Sequence, residues 1–410
     1  MSMNETPLSV RPHIAFFGLR NAGKSSLINA VTGQKLSIVS NVKGTTTDPV
    51  YKTMELLPAG PVVFIDTPGL DDEGELGEER IKKAIGVLNK TDLAVLVLDA
   101  SVGITSFDEK ILSLINQKEI PFIAAVNKTD ENAFDYNNSV FKNIIPNEKI
   151  IQVSALTGYN IKLLKEKIAE TIVRFEDKDR PLVSDLVTKE SFVLLVVPID
   201  KAAPKGRLIL PQQQTIRDLL DAGCMPVVVR DSELDSTIEK IGDKIALVIT
   251  DSQAFKKVAS LVPDSIPLTS FSILFSRYKG QLDFQLSNVA SLDSLEDDDC
   301  VLIAEGCTHH RQCGDIGTEK IPKLLKEYCK KNISFDFVSG GEFPDDLRKY
   351  KTIIHCGACM LNEKEMKSRI ERAQSQKVPL TNYGMVLAKL TGTLERSIAP
   401  LKNCTKADSL

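Results

Sequence analysis

Short apolar runs alternate with stretches of helical periodicity along most of the chain. In the N-terminal part, the runs that predict buried strands are 13–17, 62–65, 93–98, 122–126 and 150–153. Strands that alternate with helical segments are typical of a mostly parallel sheet, which binds its ligands at the carboxyl ends of the strands. The pattern therefore predicts an α/β domain over residues 8–175.

Two further α/β units follow the charged, proline-ended segment 176–181, which is typical of a linker. The small α/β domain predicted over residues 182–270 has strands at 192–199, 226–230 and 245–250 and a helix at 212–222. The doubly wound α/β domain predicted over residues 271–410 has strands at 301–304, 333–338, 352–354 and 378–380 and helices at 321–331, 363–376 and 385–390. The polar, acid-rich segment 282–299 is expected to form a loop or linker.

Composition narrows the possible functions. The net charge of −4 disfavours a primary role on nucleic acid, which normally requires a basic surface. There is no apolar run long enough to span a membrane and no signal peptide, so we expect a cytoplasmic protein that acts without nucleic acid or membrane partners. Seven of the eight cysteines lie from Cys300 to Cys404, and in a reducing compartment such thiols more often bind metal or stay free than pair.

The apolar run 13–17 leads into Gly18-Leu-Arg-Asn-Ala-Gly-Lys-Ser25, a complete phosphate-binding loop between a strand and a helix. Its glycines let backbone N–H groups turn toward phosphate, and the start of the helix adds favourable partial charge. In this motif Lys24 reaches the β- and γ-phosphates as a catalytic group, and the Ser25 hydroxyl binds Mg²⁺. The residues predicted to bind the phosphates are Asn21, Ala22, Gly23, Lys24, Ser25 and Ser26.

Later strand ends carry the residues expected to sense the γ-phosphate and to select the base. In Asp66-Thr-Pro-Gly69 the aspartate can hold Mg²⁺ through water, and the Gly69 amide can sense the γ-phosphate during catalysis. A carboxylate at the end of Asn127-Lys-Thr-Asp130 can accept from the N1–H and 2-amino groups of guanine, which adenine lacks. The base contacts predicted for GTP are Asn127, Lys128, Asp130, Ser154 and Ala155.

This first domain resembles the translation-factor-like GTPases, most closely the branch that contains Era and the tRNA-modifying TrmE/MnmE GTPases. The resemblance implies that Gly44-Thr-Thr-Thr-Asp48 is the first switch and that Thr46 binds Mg²⁺. Leu70 stands where Ras-like proteins carry the water-orienting glutamine, so we expect GTP hydrolysis to be slow. Asn21 occupies the position that ligates K⁺ in the tRNA-modifying relatives, which implies stimulation by K⁺. The acidic segment 71–79 is either the second switch or a solvated loop.

A cysteine and histidine motif follows two strands of the last domain. It consists of Cys307-Thr-His-His310 after the run 301–304 and His355-Cys-Gly-Ala-Cys359 after the run 352–354. Parallel strands deliver both segments to one sheet edge, where Cys-x-x-Cys can chelate a single metal ion or cluster. These ligand types suit zinc or an iron–sulfur cluster, and the residues alone do not choose between them. A redox-active Cys-x-x-Cys and simply buried thiols are the alternatives.

A GTPase domain followed by this motif resembles the HydF family of FeFe-hydrogenase maturation GTPases, over essentially the whole chain. The segments 203–211, 315–317 and 320–322 carry the resemblance further. It implies that the middle domain dimerises and that the last domain holds a 4Fe–4S cluster. The ligands that it implies are Cys307, Cys356 and Cys359, with His309 or His355 as the candidate at an exchangeable fourth position.

The same resemblance implies a scaffold and carrier of the diiron subcluster, which two radical-SAM maturases supply and the apo FeFe-hydrogenase receives. The chain is then expected to work as a homodimer or tetramer, and its GTPase to time the exchange of partners. The alternative is an Era/TrmE-like GTPase that acts on the ribosome or on tRNA and has a zinc-stabilised C-terminal domain.

Overall fold

The structure, a computed structural model, describes residues 8–33, 49–68, 75–131, 144–175, 180–198, 208–306 and 315–402, without the side chains of residues 75–81 and 175. The chain divides into two units, Met1–Lys178 and Asp179–Leu410. Both units are of the α/β class that the sequence predicts. Within the described ranges, no helix is both long and apolar enough to cross a membrane.

The N-terminal unit contains one six-stranded sheet. Its strands are β1 (His13–Phe17), β2 (Val50–Leu56), β3 (Gly60–Asp66), β4 (Leu93–Asp99), β5 (Phe122–Asn127) and β6 (Ile150–Gln152). The helices in the described part of this unit are α1 (Lys24–Thr32), α2 (Glu75–Leu88), α3 (Ser106–Gln117) and α4 (Ile161–Phe175). The strand order is β2-β3-β1-β4-β5-β6, and every neighbouring pair is parallel except β2 and β3. Every residue of β1 and β4 is buried, because helices cover both faces of the sheet.

The second unit contains two four-stranded parallel sheets. The strands of the first sheet are β7 (Phe192–Val196), β8 (Met225–Val229), β9 (Ile245–Thr250) and β10 (Leu268–Ser270), in the order β10-β9-β7-β8. The strands of the second sheet are β11 (Cys300–Glu305), β12 (Ser334–Ser339), β13 (Thr352–His355) and β14 (Leu380–Asn382), in the order β12-β11-β13-β14. The helices are α5 (Leu210–Asp221), α6 (Leu234–Ile241), α7 (Phe255–Leu261), α8 (Phe271–Tyr278), α9 (Leu282–Asn288), α10 (Ile321–Cys329), α11 (Glu363–Ser375), α12 (Tyr383–Leu390) and α13 (Leu394–Lys402).

One apolar core joins the two sheets of this unit. Val193 of β7 and Val301 of β11 belong to the same cluster of buried side chains, to which helices α8 and α12 also contribute. Helix α13, at the end of the chain, is tied to β10 because Thr269 Oγ1 donates to the carbonyl oxygen of Ser397 at 2.8 Å. The domain boundary predicted at residue 270 lies inside this unit, at the junction of β10 and α8.

The expectation of a loop or linker over residues 282–299 is wrong for most of that segment. It forms α9 and then a 3₁₀ turn over Val289–Ser294. Leu282, Val289 and Leu292 are buried in the shared core, because their spacing returns them to one face of the helical path. The acidic residues lie mostly at the end of the segment, at positions 293 and 296–299, and a prediction from the composition of the whole segment hid the helical periodicity before them.

Candidate functional site

The phosphate-binding loop joins β1 to α1, as its motif requires. Gly18 and Gly23 adopt φ angles of +148° and +91°. A Cβ atom at Gly18 would lie 2.2 Å from the carbonyl oxygen of Val97, and one at Gly23 would lie 2.3 Å from Asn127 Nδ2. Because a larger side chain would collide with the neighbouring strand ends, both positions of the loop require glycine.

Lys24 is buried at the start of α1. Its Nζ donates to the carbonyl oxygens of Gly18 at 2.9 Å and Leu19 at 2.8 Å. The backbone of the loop therefore positions the ammonium group. A side chain that is already ordered loses little conformational entropy when it meets a phosphate.

Asp66, at the end of β3, lies against Ser25 of the phosphate-binding loop. The Ser25 hydroxyl donates a short hydrogen bond to Asp66 Oδ2, whereas the buried Asp66 Oδ1 has no hydrogen-bond partner among the described residues. Burial raises the pKa of this carboxyl, and the Ser25 hydrogen bond acts in the opposite direction. An unpartnered buried carboxylate oxygen is costly, and oxygen is the ligand that Mg²⁺ prefers. The pair therefore fits a Mg²⁺ site.

Asn127, at the end of β5, connects the phosphate-binding loop to the loop that is predicted to contact the base. Its Nδ2 donates to the carbonyl oxygen of Ala22 at 2.9 Å, and its Oδ1 accepts from the N–H of Ala155 at 3.0 Å. Asp130 is exposed three residues later, so its carboxylate is accessible to a ligand. The structure thus brings the predicted phosphate and base residues together at the carboxyl edge of one sheet.

The other residues predicted for this site are partly described. Lys128 Nζ donates to Asp99 Oδ2 at 2.6 Å, and the buried Ser154 accepts a hydrogen bond from the backbone of its own loop. Asn21 is exposed and has a φ of +63°, a conformation that asparagine tolerates better than most residues. Thr46 and Gly69, together with Leu70, lie outside the described residues.

The cysteine loop, residues 356–361, follows β13 directly. Cys356 Sγ accepts hydrogen bonds from the N–H groups of Gly306 at 3.0 Å and Ala358 at 3.3 Å. Ala358 has a φ of +52°, which turns the chain between Cys356 and Cys359. Burial raises the pKa of both thiols, and a bound metal would remove their protons. Two cysteines on one tight turn, with N–H groups directed at a sulfur, fit a thiolate-held metal centre.

His355 is fully buried at the end of β13. Arg369 Nη1 donates to His355 Nε2 at 3.1 Å, and Nδ1 lies 2.9 Å from the carbonyl oxygen of Cys356. Because arginine only donates, Nε2 must be the acceptor and Nδ1 must carry the proton. Burial lowers the pKa of His355 to about 3, which is consistent with a neutral ring. Both ring nitrogens are therefore engaged within the protein.

Lys279 approaches the cysteine loop from the end of α8. Its Nζ donates to the carbonyl oxygens of Ala358 and Leu361, the latter at 2.8 Å. The side chain is buried, and burial lowers its pKa to about 8 while the two thiols of the loop act in the opposite direction. A positive charge thus lies at the base of the turn that carries both cysteines.

The predicted third cysteine and the other histidine candidate, Cys307 and His309, lie outside the described residues. Among the residues that are described, no group of three or more histidine, cysteine, aspartate or glutamate side chains could hold a metal ion. Strand β11 ends at Glu305, two positions before Cys307, and pairs with β13 in parallel. The described chain before Cys307 therefore ends at the same sheet edge as the cysteine loop.

Sequence reasoning missed the groups that support the cysteine loop. Lys279 follows a short helix, where exposed lysines are common, and the buried Arg369 lies in the mostly polar helix α11. Arg369 stands four residues after Glu365, a spacing that is typical of an exposed ion pair. No signal in the sequence distinguishes these buried cations from surface ones.

Three family models match the chain. The model described as 50S ribosome-binding GTPase matches residues 13–128. The models described as hydrogen maturase F dimerization domain and hydrogen maturase F tetramerization domain match residues 182–280 and 283–400. The two HydF models together cover more than half of the chain, which therefore carries oligomerisation domains.

Individual relatives match mainly the GTPase domain. GTPase Der of Wolinella succinogenes is 34% identical over 196 residues, which are 46% of this chain and 40% of that protein. GTPase Era of Caldicellulosiruptor saccharolyticus is 28% identical over 259 residues, 60% of this chain and 83% of that protein. A crystal structure of Era with MgGDPNP and a segment of 16S ribosomal RNA has a TM-score of 0.36 and 22% identity, and the match covers 54% of this chain and 94% of that one.

The chain spans about 40% of the length of the Der proteins that it matches. Its N-terminal unit is nevertheless a GTPase domain, with the phosphate-binding loop of such a domain and a Ser25–Asp66 pair that fits a Mg²⁺ site. The predicted fold class is confirmed for this domain and for the dimerisation domain that follows it. Since the remaining residues match both HydF-specific domains in order, the chain belongs to the HydF family of hydrogenase maturation GTPases.

Proposed function

We propose that the chain is a GTP-hydrolysing scaffold that binds a 4Fe–4S cluster and transfers the diiron subcluster to apo FeFe-hydrogenase. The observation that carries this proposal is the cysteine loop, where two backbone N–H groups meet the buried sulfur of Cys356. With Cys307, the Cys356 and Cys359 thiolates would form a set of three strong ligands. Membership in the HydF family supports the same function.

His309 is the better candidate for the fourth ligand of the cluster. Both ring nitrogens of His355 already form hydrogen bonds within the protein, so ligation by His355 would break the contact with Arg369 or with the Cys356 carbonyl. Three thiolates retain a cluster, while a weaker nitrogen ligand leaves one position open to exchange. Such an arrangement suits a carrier that must release its cargo.

The nucleotide site would time the exchange of partners. Ser25 and Thr46 would bind Mg²⁺, which neutralises the phosphate charge, and Asp66 would hold it through water. The partners in this scheme are two radical-SAM maturases that supply the diiron unit and the apo-hydrogenase that receives it. The chain would work as a homodimer or tetramer, in keeping with its two oligomerisation domains.

The decisive experiment is EPR spectroscopy of the anaerobically purified chain after reconstitution with iron and sulfide. We expect a reduced 4Fe–4S signal that shifts when imidazole is added, because imidazole would occupy the exchangeable position. Absence of iron, with one tightly bound zinc ion per chain, would overturn the maturation role. That result would instead favour an Era/TrmE-like GTPase that acts on the ribosome or on tRNA.

GTP hydrolysis is proposed to depend on K⁺ at Asn21. The exposed side chain in the phosphate-binding loop leaves this position accessible to a cation, which would supply the positive charge that an arginine finger provides elsewhere. Turnover should therefore be faster in K⁺ than in Na⁺, and Asn21→Ala should remove the difference. Equal rates of the parent chain in the two salts would exclude this site.

A further inference from the structure

Resting on the proposed cluster function, we propose that Lys279 is a positioning residue whose buried positive charge raises the reduction potential of the cluster on the cysteine loop. Lys279 donates hydrogen bonds to two carbonyl oxygens of the loop, and the structure records no hydrogen bond from it to the sulfur of Cys356 or Cys359. Lys279 would therefore act on the cluster indirectly, by supporting the backbone of the loop and through its electrostatic field. Nothing in the sequence motif contains or requires this lysine.

The geometry makes Lys279 an integral support of the turn. Its Nζ bonds to the carbonyls of Ala358 and Leu361, and Ala358 O also accepts from the Leu361 N–H at 3.1 Å. These two carbonyls bracket Cys359, the second cysteine of the pair. Since Ala358 has the left-handed backbone that the turn needs, holding its carbonyl fixes the segment between the two sulfurs.

The end of α8 that carries Lys279 is itself fixed. Arg180 Nη1 donates to the carbonyl oxygen of Tyr278 at 3.0 Å and lies 3.3 Å from Glu363 Oε1, just beyond the cysteine loop. The same guanidinium thus connects the residue before Lys279 with the helix that follows the loop. The ammonium group is held in one place with respect to the cysteines.

The charge of Lys279 is not neutralised by direct contact. Within the described part of the chain, Lys279 forms no ion pair, and both of its hydrogen-bond acceptors are neutral carbonyls. The nearby buried Arg369, by contrast, forms an ion pair with Glu365 at 3.0 Å. Glu363 and Glu365 act on Lys279 only through space, so no carboxylate contacts this buried cation at the loop.

A buried positive charge favours the more negative state of a neighbouring centre. Reduction adds one electron to the cluster, and in a buried environment the attraction of a fixed ammonium group for that electron is weakly screened. Removing the charge should leave the oxidised cluster in place and make its reduction harder. A purely structural lysine would change cluster occupancy without a consistent shift in potential.

The test compares three variants of the full chain after anaerobic reconstitution. Lys279→Gln retains an N–H donor but removes the charge, Lys279→Arg retains the charge, and Lys367→Gln removes a charge from an exposed position on α11 as a control. Iron and sulfide content and the circular dichroism spectrum are measured first. The reduction potential is then obtained from a redox titration followed by EPR.

We expect Lys279→Gln to hold as much iron as the parent chain. Its equilibrium constant for reduction should fall at least tenfold, which is about 59 mV for a one-electron couple. Lys279→Arg and Lys367→Gln should retain the parent potential. An unchanged potential in a fully loaded Lys279→Gln would overturn the proposal, and so would an equal fall in Lys279→Arg.

Three outcomes separate this inference from the proposed function. A folded Lys279→Gln chain that holds no iron would assign the lysine to loop support alone and would overturn its electrostatic role. A parent chain that holds no iron would overturn the proposed function, and this inference with it. A parent chain that holds the cluster, beside a Lys279→Gln chain of unchanged potential, would overturn only the present inference.

Discussion

The nucleotide site and the cysteine loop occupy equivalent positions in their sheets and differ in which residues support their backbone. Each begins at the carboxyl end of a buried parallel strand, β1 or β13. In the nucleotide site, Lys24 bonds to the backbone of its own motif. In the cysteine loop, the supporting groups come from elsewhere, since Lys279 reaches Ala358 across 79 positions of sequence.

This difference explains why the nucleotide site can be recognised from its sequence motif, whereas the cysteine loop can be recognised only in part. A loop whose polar groups bond to one another adopts the same geometry wherever a strand and a helix flank it. A loop that is supported by distant residues depends on the packing that brings those residues to it. A substitution at one site should therefore leave the function of the other site unchanged.

The largest effect is expected from Cys356→Ala. This change removes a ligand and the sulfur that accepts two backbone hydrogen bonds, so the reconstituted chain should lose its iron while GTP turnover stays at the parent level. Cys329→Ala, at a half-buried thiol on α10 outside the motif, is the control and should keep its iron. Full iron content in Cys356→Ala would refute the assignment of this ligand.

Lys24→Ala should produce the converse result. Removing one preorganised donor at the phosphates is expected to lower GTP turnover by about 10²–10³-fold, because its charge is lost where negative charge develops. Iron content after reconstitution should not change. Lys162→Ala, at an exposed residue of the same unit, controls for the loss of a positive charge. Turnover near the parent value in Lys24→Ala would contradict the proposed catalytic role.

Asp130→Asn should weaken GTP binding more moderately. The carboxylate is exposed and free to accept from guanine, and losing a hydrogen bond to a charged group costs roughly 1.5–3 kcal/mol. We expect a corresponding loss of affinity, together with reduced discrimination against ATP, in nucleotide displacement assays. Glu131→Gln alters the adjacent exposed carboxylate and should retain the parent preference for guanine. An unchanged preference in Asp130→Asn would place base selection elsewhere.

The smallest effect is expected on the free energy of unfolding of the N-terminal unit at acid pH. His13 is buried at the start of β1, and burial lowers its pKa to about 4. Between pH 6.5 and pH 4 the unfolded chain binds a proton that the folded unit does not, so stability is complete above this window and falls as the pH drops through it. From pH 7.5 to pH 5 the free energy of unfolding should decrease by about 1–2 kcal/mol through this group.

Hydrogen exchange of β1 and β4 at both pH values measures this prediction. The parent chain and His13→Gln are compared at each pH, so that the intrinsic pH dependence of exchange cancels. His13→Gln should lose less protection on acidification than the parent chain. An identical loss in both chains would show that another group controls the acid sensitivity of this sheet.

The elements that the sequence revealed are those with continuous apolar runs. Strands β1, β4 and β5 are buried on both faces, so all but one end residue of each strand is apolar. The edge strand β2 is mostly exposed and has no such run, and α9 is a short helix in a segment whose composition is dominated by the acidic run 296–299 that follows it. A periodic pattern of apolar residues reveals an element only where that element is buried. Elements that are half-exposed or lie in charged segments have too few apolar positions to show such a pattern.

The sequence by itself determined most strands of the three sheets, although not β2 or β10, together with the phosphate-binding loop and the two strand ends that carry the cysteine motif. Each of these depends on local propensity and on residues close together in the chain. Only the tertiary structure placed Lys279 at the turn between the cysteines and engaged both nitrogens of His355. Burial of a charged or polar side chain is decided by long-range packing, and no short stretch of sequence contains the partners that make such burial possible.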